Sequence, residues 1–260
     1  MTQGLGYVDP AYLDAAARLV AGGKRLSHER MRIAPGAVVL DVGCGPGSDT
    51  IPLAGLVGAT GFVHGIDRDA AMVEEAERRA AEAGVANQVE HRAGDAYALP
   101  WADATFDAVR CERLFLHLDH PERATAEMVR VTKPGGRVVL MDTDWGTRSV
   151  DTPEVELERR IARVLAERCM ANGYSGRRLW GLLKTAGVGG LSLDLVPLHV
   201  DSYELWRLLS RMDTAFGEAV AMGVMTEDEV RRLDDSLREK DAAGTFFAST
   251  TVMLVAGTKG

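Results

Sequence analysis

VVLDVGCGPGSDT, residues 38–50, joins a buried strand to a glycine turn and a helix start. Val38, Val39 and Leu40 form a continuous apolar run, the pattern of a parallel strand covered on both faces. Asp41 ends the run, and Gly43, Gly45 and Gly47 follow at alternate positions. Glycine tolerates positive φ and lets a ligand approach the backbone closely. A turn of this kind at the carboxyl end of the first strand of an α/β sheet is where nucleotide-like ligands bind.

Two common glycine motifs fit poorly. A dinucleotide fingerprint needs G-x-G-x-x-G, but Ser48 stands three positions after Gly45 and the third glycine comes one residue early. A phosphate-cradling P-loop needs G-x-x-x-x-G-K-[ST], and no Lys follows these glycines. The pattern that remains is D-x-G-x-G-x-G. On these residues the chain resembles the class I S-adenosylmethionine (SAM)-dependent methyltransferases. Within them it is most similar to the methyltransferase-11 branch, which includes the ubiquinone/menaquinone C-methyltransferases and small-molecule methyltransferases of secondary metabolism. The resemblance is strong over about 35–145 and topological elsewhere.

The flanking sequence alternates strand and helix. Strands are predicted near 37–42, 62–67, 88–92, 106–112 and 137–145, with helices near 48–57, 69–84 and 121–132. That order specifies an α/β fold with a mostly parallel, doubly wound sheet. Further on, 153–171 and 176–187 read as helices, 191–200 and 246–256 as strands, and 201–241 as charged and helical. The resemblance completes this as a seven-stranded Rossmann-like sheet with helical cap insertions, strand 7 lying antiparallel between strands 5 and 6. It implies a single domain over 1–260, with its core at about 33–145 and 176–260 and lid elements at about 1–32, 147–172 and 201–241.

Bulk properties narrow the function. The 260 residues suffice for one sizeable core. A net charge of −8 disfavours nucleic acid as a partner, because that requires a basic face. No apolar run approaches the roughly 20 residues of a membrane span, and the first residues lack the order of a secretory signal. A cytoplasmic protein without membrane association is therefore expected. Cys44, Cys111 and Cys169 are odd in number and lack metal-ligand spacing, so neither a disulfide framework nor a metal site is expected.

The resemblance assigns cofactor contacts residue by residue. Asp41 would help hold the methionine ammonium, or alternatively cap the next helix. Gly43, Cys44, Gly45 and Gly47 would line the amino-acid part and ribose. Asp67, with Arg68 beside it, ends the second strand where ribose hydroxyls are held, the same two-hydroxyl chemistry as in dinucleotide sites. Asp95 would accept from the adenine amino group, with the backbone of Ala96 on a ring nitrogen. Arg110 and Cys111, at the end of the fourth strand, would lie beside the methionine chain. The implied cofactor is SAM, with S-adenosylhomocysteine (SAH) as product.

Methyl transfer is an in-line displacement at an already activated carbon, so positioning carries much of the catalysis. A base is needed only where the nucleophile starts protonated. His117 in CERLFLHLDHPE is the candidate base, or alternatively a core or capping histidine. Asp144 is a candidate to orient a substrate hydroxyl or amine. Trp145, Tyr7 and His117 are candidate substrate-pocket residues, with Tyr12 a further lid aromatic. Glu112 and Arg113 are expected to pair and shape their loop, and Arg177 and Arg178 to bind a carboxylate or pair with the acidic helices. The function expected is methyl transfer to a small-molecule carbon, oxygen or nitrogen nucleophile. The alternative is a SAM-binding protein that does not methylate, either a pericyclase-like or cyclase-like enzyme or a regulatory module.

Overall fold

A computed structural model of the protein describes residues 19–260. Tyr7, Tyr12 and most of the first lid element lie outside the described residues. The seven strands are β1 (Val38–Val42), β2 (Phe62–Asp67), β3 (Val89–Ala93), β4 (Phe106–Glu112), β5 (Thr132–Val150), β6 (Val188–Val200) and β7 (Ala248–Lys259). They form one sheet in the order β3-β2-β1-β4-β5-β7-β6. The first five are parallel, and β7 runs antiparallel between β5 and β6. This is the doubly wound order expected. β5 is longer at both ends than 137–145. The Pro134-Gly135-Gly136 turn is absorbed as an irregularity after the Phe106–Thr132 pair, and a second irregularity follows Asp144.

The helices are α1 (Ala21–Met31), α2 (Thr50–Val57), α3 (Ala70–Glu82), α4 (Pro121–Val131), α5 (Val155–Val164), α6 (Ser175–Thr185), α7 (Tyr203–Ser210), α8 (Met212–Ala221) and α9 (Glu227–Ala242). Local chemistry sets several of their starts. Asp69 accepts from the Ala71 N–H ahead of α3, Pro121 opens α4, and Thr226 and Glu229 form a reciprocal capping box at α9. The helix expected over 153–171 ends as α5 and one wider π turn, Leu165–Cys169.

Strand periodicity distributes the core. Leu40, Val42, Cys111 and Leu140 face one side of the sheet, with α4 and α6 residues. Val39, Ala108, Val139 and Met141 face the other, with Met31 of α1 and Leu53 of α2. A third cluster, built from α5, α7, α8 and α9, forms the cap. The glycine turn, the 113–120 loop and the end of β5 all leave the carboxyl edge of the parallel strands.

Candidate functional site

The glycine turn is held open by its own backbone geometry. Gly43, Gly45 and Gly47 have φ of 75°, 51° and 77°. A Cβ built on Gly45 meets nothing within 4 Å, whereas one on Gly47 meets the Ala76 Cβ at 3.1 Å. The turn thus packs α3 with its third glycine and presents its second to open space. The Gly45 N–H donates to Asp67 Oδ2 at 2.9 Å, and the Asp69 N–H to Asp67 Oδ1 at 3.0 Å. Asp67 therefore ties the turn to the end of β2, and a carboxylate with these two bonds still has lone pairs for hydroxyl donors. Asp95 is exposed, and only its Oδ1 is engaged, by the Tyr97 N–H at 2.8 Å. Ala96 is half-buried and Arg68 exposed next to these groups.

Beneath the turn lies an ionic cluster that the sequence reading missed. Residues of one parity in β1 and β4 face α1. Asp41 is in register with Arg110, and Glu112 lies two residues further on. Arg110 is completely buried, with Nη1 3.1 Å from Asp41 and 3.2 Å from Asp49, and Nη2 2.9 Å from Glu112. Lys24 of α1 pairs with Asp49 and, at 3.1 Å, with Glu112, while His28 Nε2 lies 2.9 Å from Asp49 Oδ1. Burial disfavours the Arg110 cation, but the surrounding carboxylates outweigh this and raise its pKa. Burial pushes the Asp41 carboxyl up to about 7, with Arg110 opposing the shift only in part. Asp49 is also penalised by burial, yet Arg110, His28 and Lys24 hold it well below the usual range.

The cluster and the burial of the two thiols correct four of the expected cofactor contacts. Arg110 is turned away from the turn's open face: Nη1 and Nη2 are engaged by the carboxylates and by Ser27 Oγ at 3.3 Å, and Nε is buried without a partner among the described residues. Asp41 is only 2% exposed and acts from below the turn, through Arg110, rather than on a ligand ammonium directly. Cys111 has the opposite parity to Arg110 and is 1% exposed among apolar side chains. The Cys44 thiol is also buried, wedged by Gly65 and His91, and burial raises its pKa far above the ordinary thiol range. The Cys44 N–H donates to the Ile66 carbonyl. Both thiols are inert packing groups.

The loop after β4 is anchored at several points. Arg113 occupies the left-handed region at φ 51°, with its N–H on the Met141 carbonyl at 2.9 Å and Nε 3.2 Å from Glu112. The Leu116 N–H donates to Asp142 Oδ2 at 2.8 Å, and Asn172 holds the Phe115 and Leu116 carbonyls. Asp142 is completely buried, and burial pushes its carboxyl up to about 7. His117 ends the short 3₁₀ turn of this loop and is exposed at the surface. Partial desolvation by the surrounding protein, then the charges of Arg68 and Arg113, lower its pKa, with Asp67 pulling the other way. A neutral imidazole there is able to accept a proton.

Asp144 requires a further correction. Its carboxylate is fully buried and accepts from Arg177 Nε at 2.5 Å, Arg177 Nη2 at 2.9 Å and the Gly146 N–H at 3.0 Å. It positions Arg177 and the β5–α6 junction and has no face left for a substrate. Trp145 is half-buried, with its indole N–H buried and unpartnered among the described residues. Arg148 and Trp206, which no sequence pattern singled out, lie close by. Among the described residues, no group of three or more His, Cys, Asp or Glu is placed to hold a metal ion, and no helix is long and apolar enough to cross a membrane.

Comparison with known proteins matches this architecture. A family described as "Methyltransferase domain" matches residues 39–136. An uncharacterized 37.1 kDa protein in transposon TN4556 of Streptomyces fradiae is 34% identical over 96% of this chain and 70% of its own length. The ubiquinone/menaquinone biosynthesis C-methyltransferase UbiE of Ectopseudomonas mendocina is 36% identical over 46% of each chain. The chain thus spans about half the length of the named methyltransferase it matches. Among solved structures, the YcgJ protein of Bacillus subtilis superposes with a TM-score of 0.65 at 20% identity, covering 92% of this chain and 98% of that one. The [4+2]-cyclase SpnF superposes at 0.55 and 20% identity, over 92% and 81%. At these identities the structures speak for the fold alone.

Proposed function

The chain belongs to the class I SAM-dependent methyltransferase family, and we propose that it transfers the methyl group of SAM to a small-molecule nucleophile. The observation that carries this reading is the three-glycine turn, open above Gly45 and flanked by Asp67 and Asp95 at the carboxyl edge of the sheet. The residues present fit the cofactor. Asp67 would receive the ribose hydroxyls, Asp95 the adenine amino group, and the Gly43–Gly47 backbone the amino-acid part. When bound, SAM supplies a methyl carbon activated by a sulfonium.

The protein's own task is to hold an acceptor in line and exclude water, which is worth several kcal/mol of the barrier. His117 is the group placed to take a proton where the acceptor is a hydroxyl, amine or acidic carbon. Asp142 acts through the loop, by fixing the Leu116 N–H, and is a positioning residue. A small metabolite fits a site roofed by α5, α7, α8 and α9 better than a polymer. UbiE, a relative named for quinone biosynthesis, supports the same class of acceptor.

SpnF, a cyclase of the same fold, supports a non-methylating alternative. The test is to incubate the protein with methyl-labelled SAM and a panel of phenols, quinols and carboxylates, following SAH and labelled product. Acceptor-dependent SAH release with label in the product supports methyl transfer. SAM binding with an acceptor converted but no SAH formed would assign the cyclase-like reading.

A further inference from the structure

Arg148 lies within the irregularity of β5 between Asp144 and Ser149 and turns into the cap, with only 3% of its surface exposed. Its guanidinium contacts two indoles, 4.3 Å from the ring centre of Trp206 on α7 and 5.4 Å from that of Trp145. Nη2 reaches only the Met212 thioether of α8, at 3.6 Å. Nε and Nη1 have no hydrogen-bond partner among the described residues, and neither does the indole N–H of Trp145 or Trp206. Three neighbouring side chains therefore present buried donors without an acceptor. Glu158 contributes a distant negative charge, but its carboxylate pairs with Arg159 at 3.2 Å and forms no ion pair with Arg148. Burial lowers the Arg148 pKa to about 9, so the group stays cationic at neutral pH while lacking a counter-ion.

Buried donors are almost always satisfied, and a buried guanidinium without an anion is costly to keep. The two cation–π contacts stabilise the charge but supply no hydrogen-bond acceptor. What completes the site is an oxyanion. We propose that Arg148, with the indole N–H groups of Trp145 and Trp206, binds an anionic oxygen group, a carboxylate or phosphate ester, on the methyl acceptor. The inference rests on the methyltransferase reading in one respect, that the ligand here is the acceptor. β5 runs parallel to β1 and delivers Trp145 and Arg148 past the same sheet edge as the glycine turn. The unpartnered polar atoms here are all donors and their neighbours are indole rings and a thioether, so the site selects a small, largely apolar acid over its neutral amide or ester.

The test uses protein labelled with ¹⁵N at the indole nitrogens and saturated with SAH. The four indole N–H resonances belong to Trp101, Trp145, Trp180 and Trp206. Benzoate and phenyl phosphate are titrated as probes, with benzamide as the neutral control. The expected result is saturable movement of the Trp145 and Trp206 resonances with at least one anion, but not with benzamide, and little change at Trp101 and Trp180. Tighter binding of benzoate assigns a carboxylate acceptor; tighter binding of phenyl phosphate assigns a phosphate ester. Arg148→Met should weaken the anion by at least about tenfold, as expected for losing a charge-assisted hydrogen bond, without changing SAH affinity. Trp206→Phe, which deletes one donor but keeps an aromatic ring beside the guanidinium, should weaken it less. Failure of both anions to move the two resonances, or equal anion affinity in Arg148→Met, would overturn the proposal. If SAH itself does not bind, the methyltransferase reading fails instead. The same titration on free protein then still decides whether Arg148 is an oxyanion site.

Discussion

Gly45→Ala and Gly47→Ala separate ligand binding from folding within one turn. Both glycines have left-handed backbone, φ 51° and 77°, so either alanine incurs about 1–2 kcal/mol of strain. At Gly45 that is the whole cost to the free protein, because its new methyl meets nothing within 4 Å. For a chain of this size the melting temperature should fall by roughly 2–8 °C. At Gly47 the methyl also meets Ala76 Cβ at 3.1 Å and Thr50 Oγ1 at 3.2 Å. Overpacking raises the total to roughly 2–5 kcal/mol, with a correspondingly larger fall in melting temperature. The order reverses for SAM. The Gly45 methyl occupies the space through which the cofactor approaches the backbone, and a clash of about 1–3 kcal/mol there is roughly a 5- to 150-fold loss of affinity. Calorimetric unfolding and isothermal titration with SAM at a temperature where both variants are folded read the two effects independently. Wild-type SAM affinity in Gly45→Ala would refute the assignment of the open space above the turn. So would affinity losses that simply track the stability losses of the two variants.

Other residues give expectations of their own. Asp142 holds its proton up to about pH 7 in the folded protein against 3.8 when free. Its stabilising contribution is therefore full below pH 3.8 and lost as pH rises through about 7. Asp142→Asn removes that titration, so the stability of wild type minus variant should fall by up to about 4 kcal/mol between acid and neutral pH. A pH-independent difference in urea unfolding would contradict it. Arg110→Met leaves Asp41, Asp49 and Glu112 facing one another with Lys24 and His28 as the remaining partners, and should destabilise by about 3–5 kcal/mol. A loss below about 1 kcal/mol would mean that these carboxylates are neutral in the folded state. His117→Gln should lower kcat by roughly 10²–10⁴ with a hydroxyl or amine acceptor and leave SAM affinity unchanged. Because the His117 pKa lies below its ordinary value, the acid limb of wild-type activity should fall below about pH 6.5; undiminished kcat in the variant would remove the base assignment.

The parallel core was legible because each strand carries its own signal. FVHGID and FDAVRCE are bounded as expected, and the Asp69 cap and the antiparallel β7 fall where anticipated. Strand parity was available too, but was not used on the side chains. Counting from Val39 places Asp41 toward α1, and the same count separates Arg110 and Glu112 from Cys111. What no local pattern carried was the partner across the sheet. Arg110 looked like a ligand contact because it ends a strand at the binding edge; its burial depends on Lys24, His28 and Asp49 arriving from α1 and the start of α2. Asp144 was misread for the same reason, since Arg177 reaches it from α6, 33 residues away. Arg148 stood in an undistinguished stretch, GTRSV, and acquires meaning only when α7 lays Trp206 over it.

A crystal structure of the protein grown with SAH examines the proposed cofactor site most directly. The ribose hydroxyls should lie on Asp67, the adenine amino group on Asp95, and the amino-acid part against the Gly43–Gly47 backbone, with Arg110 still enclosed by its three carboxylates. SAH bound elsewhere, or density in this turn for a different nucleotide, would contradict the assignment of the glycine turn as the seat of a methyl donor.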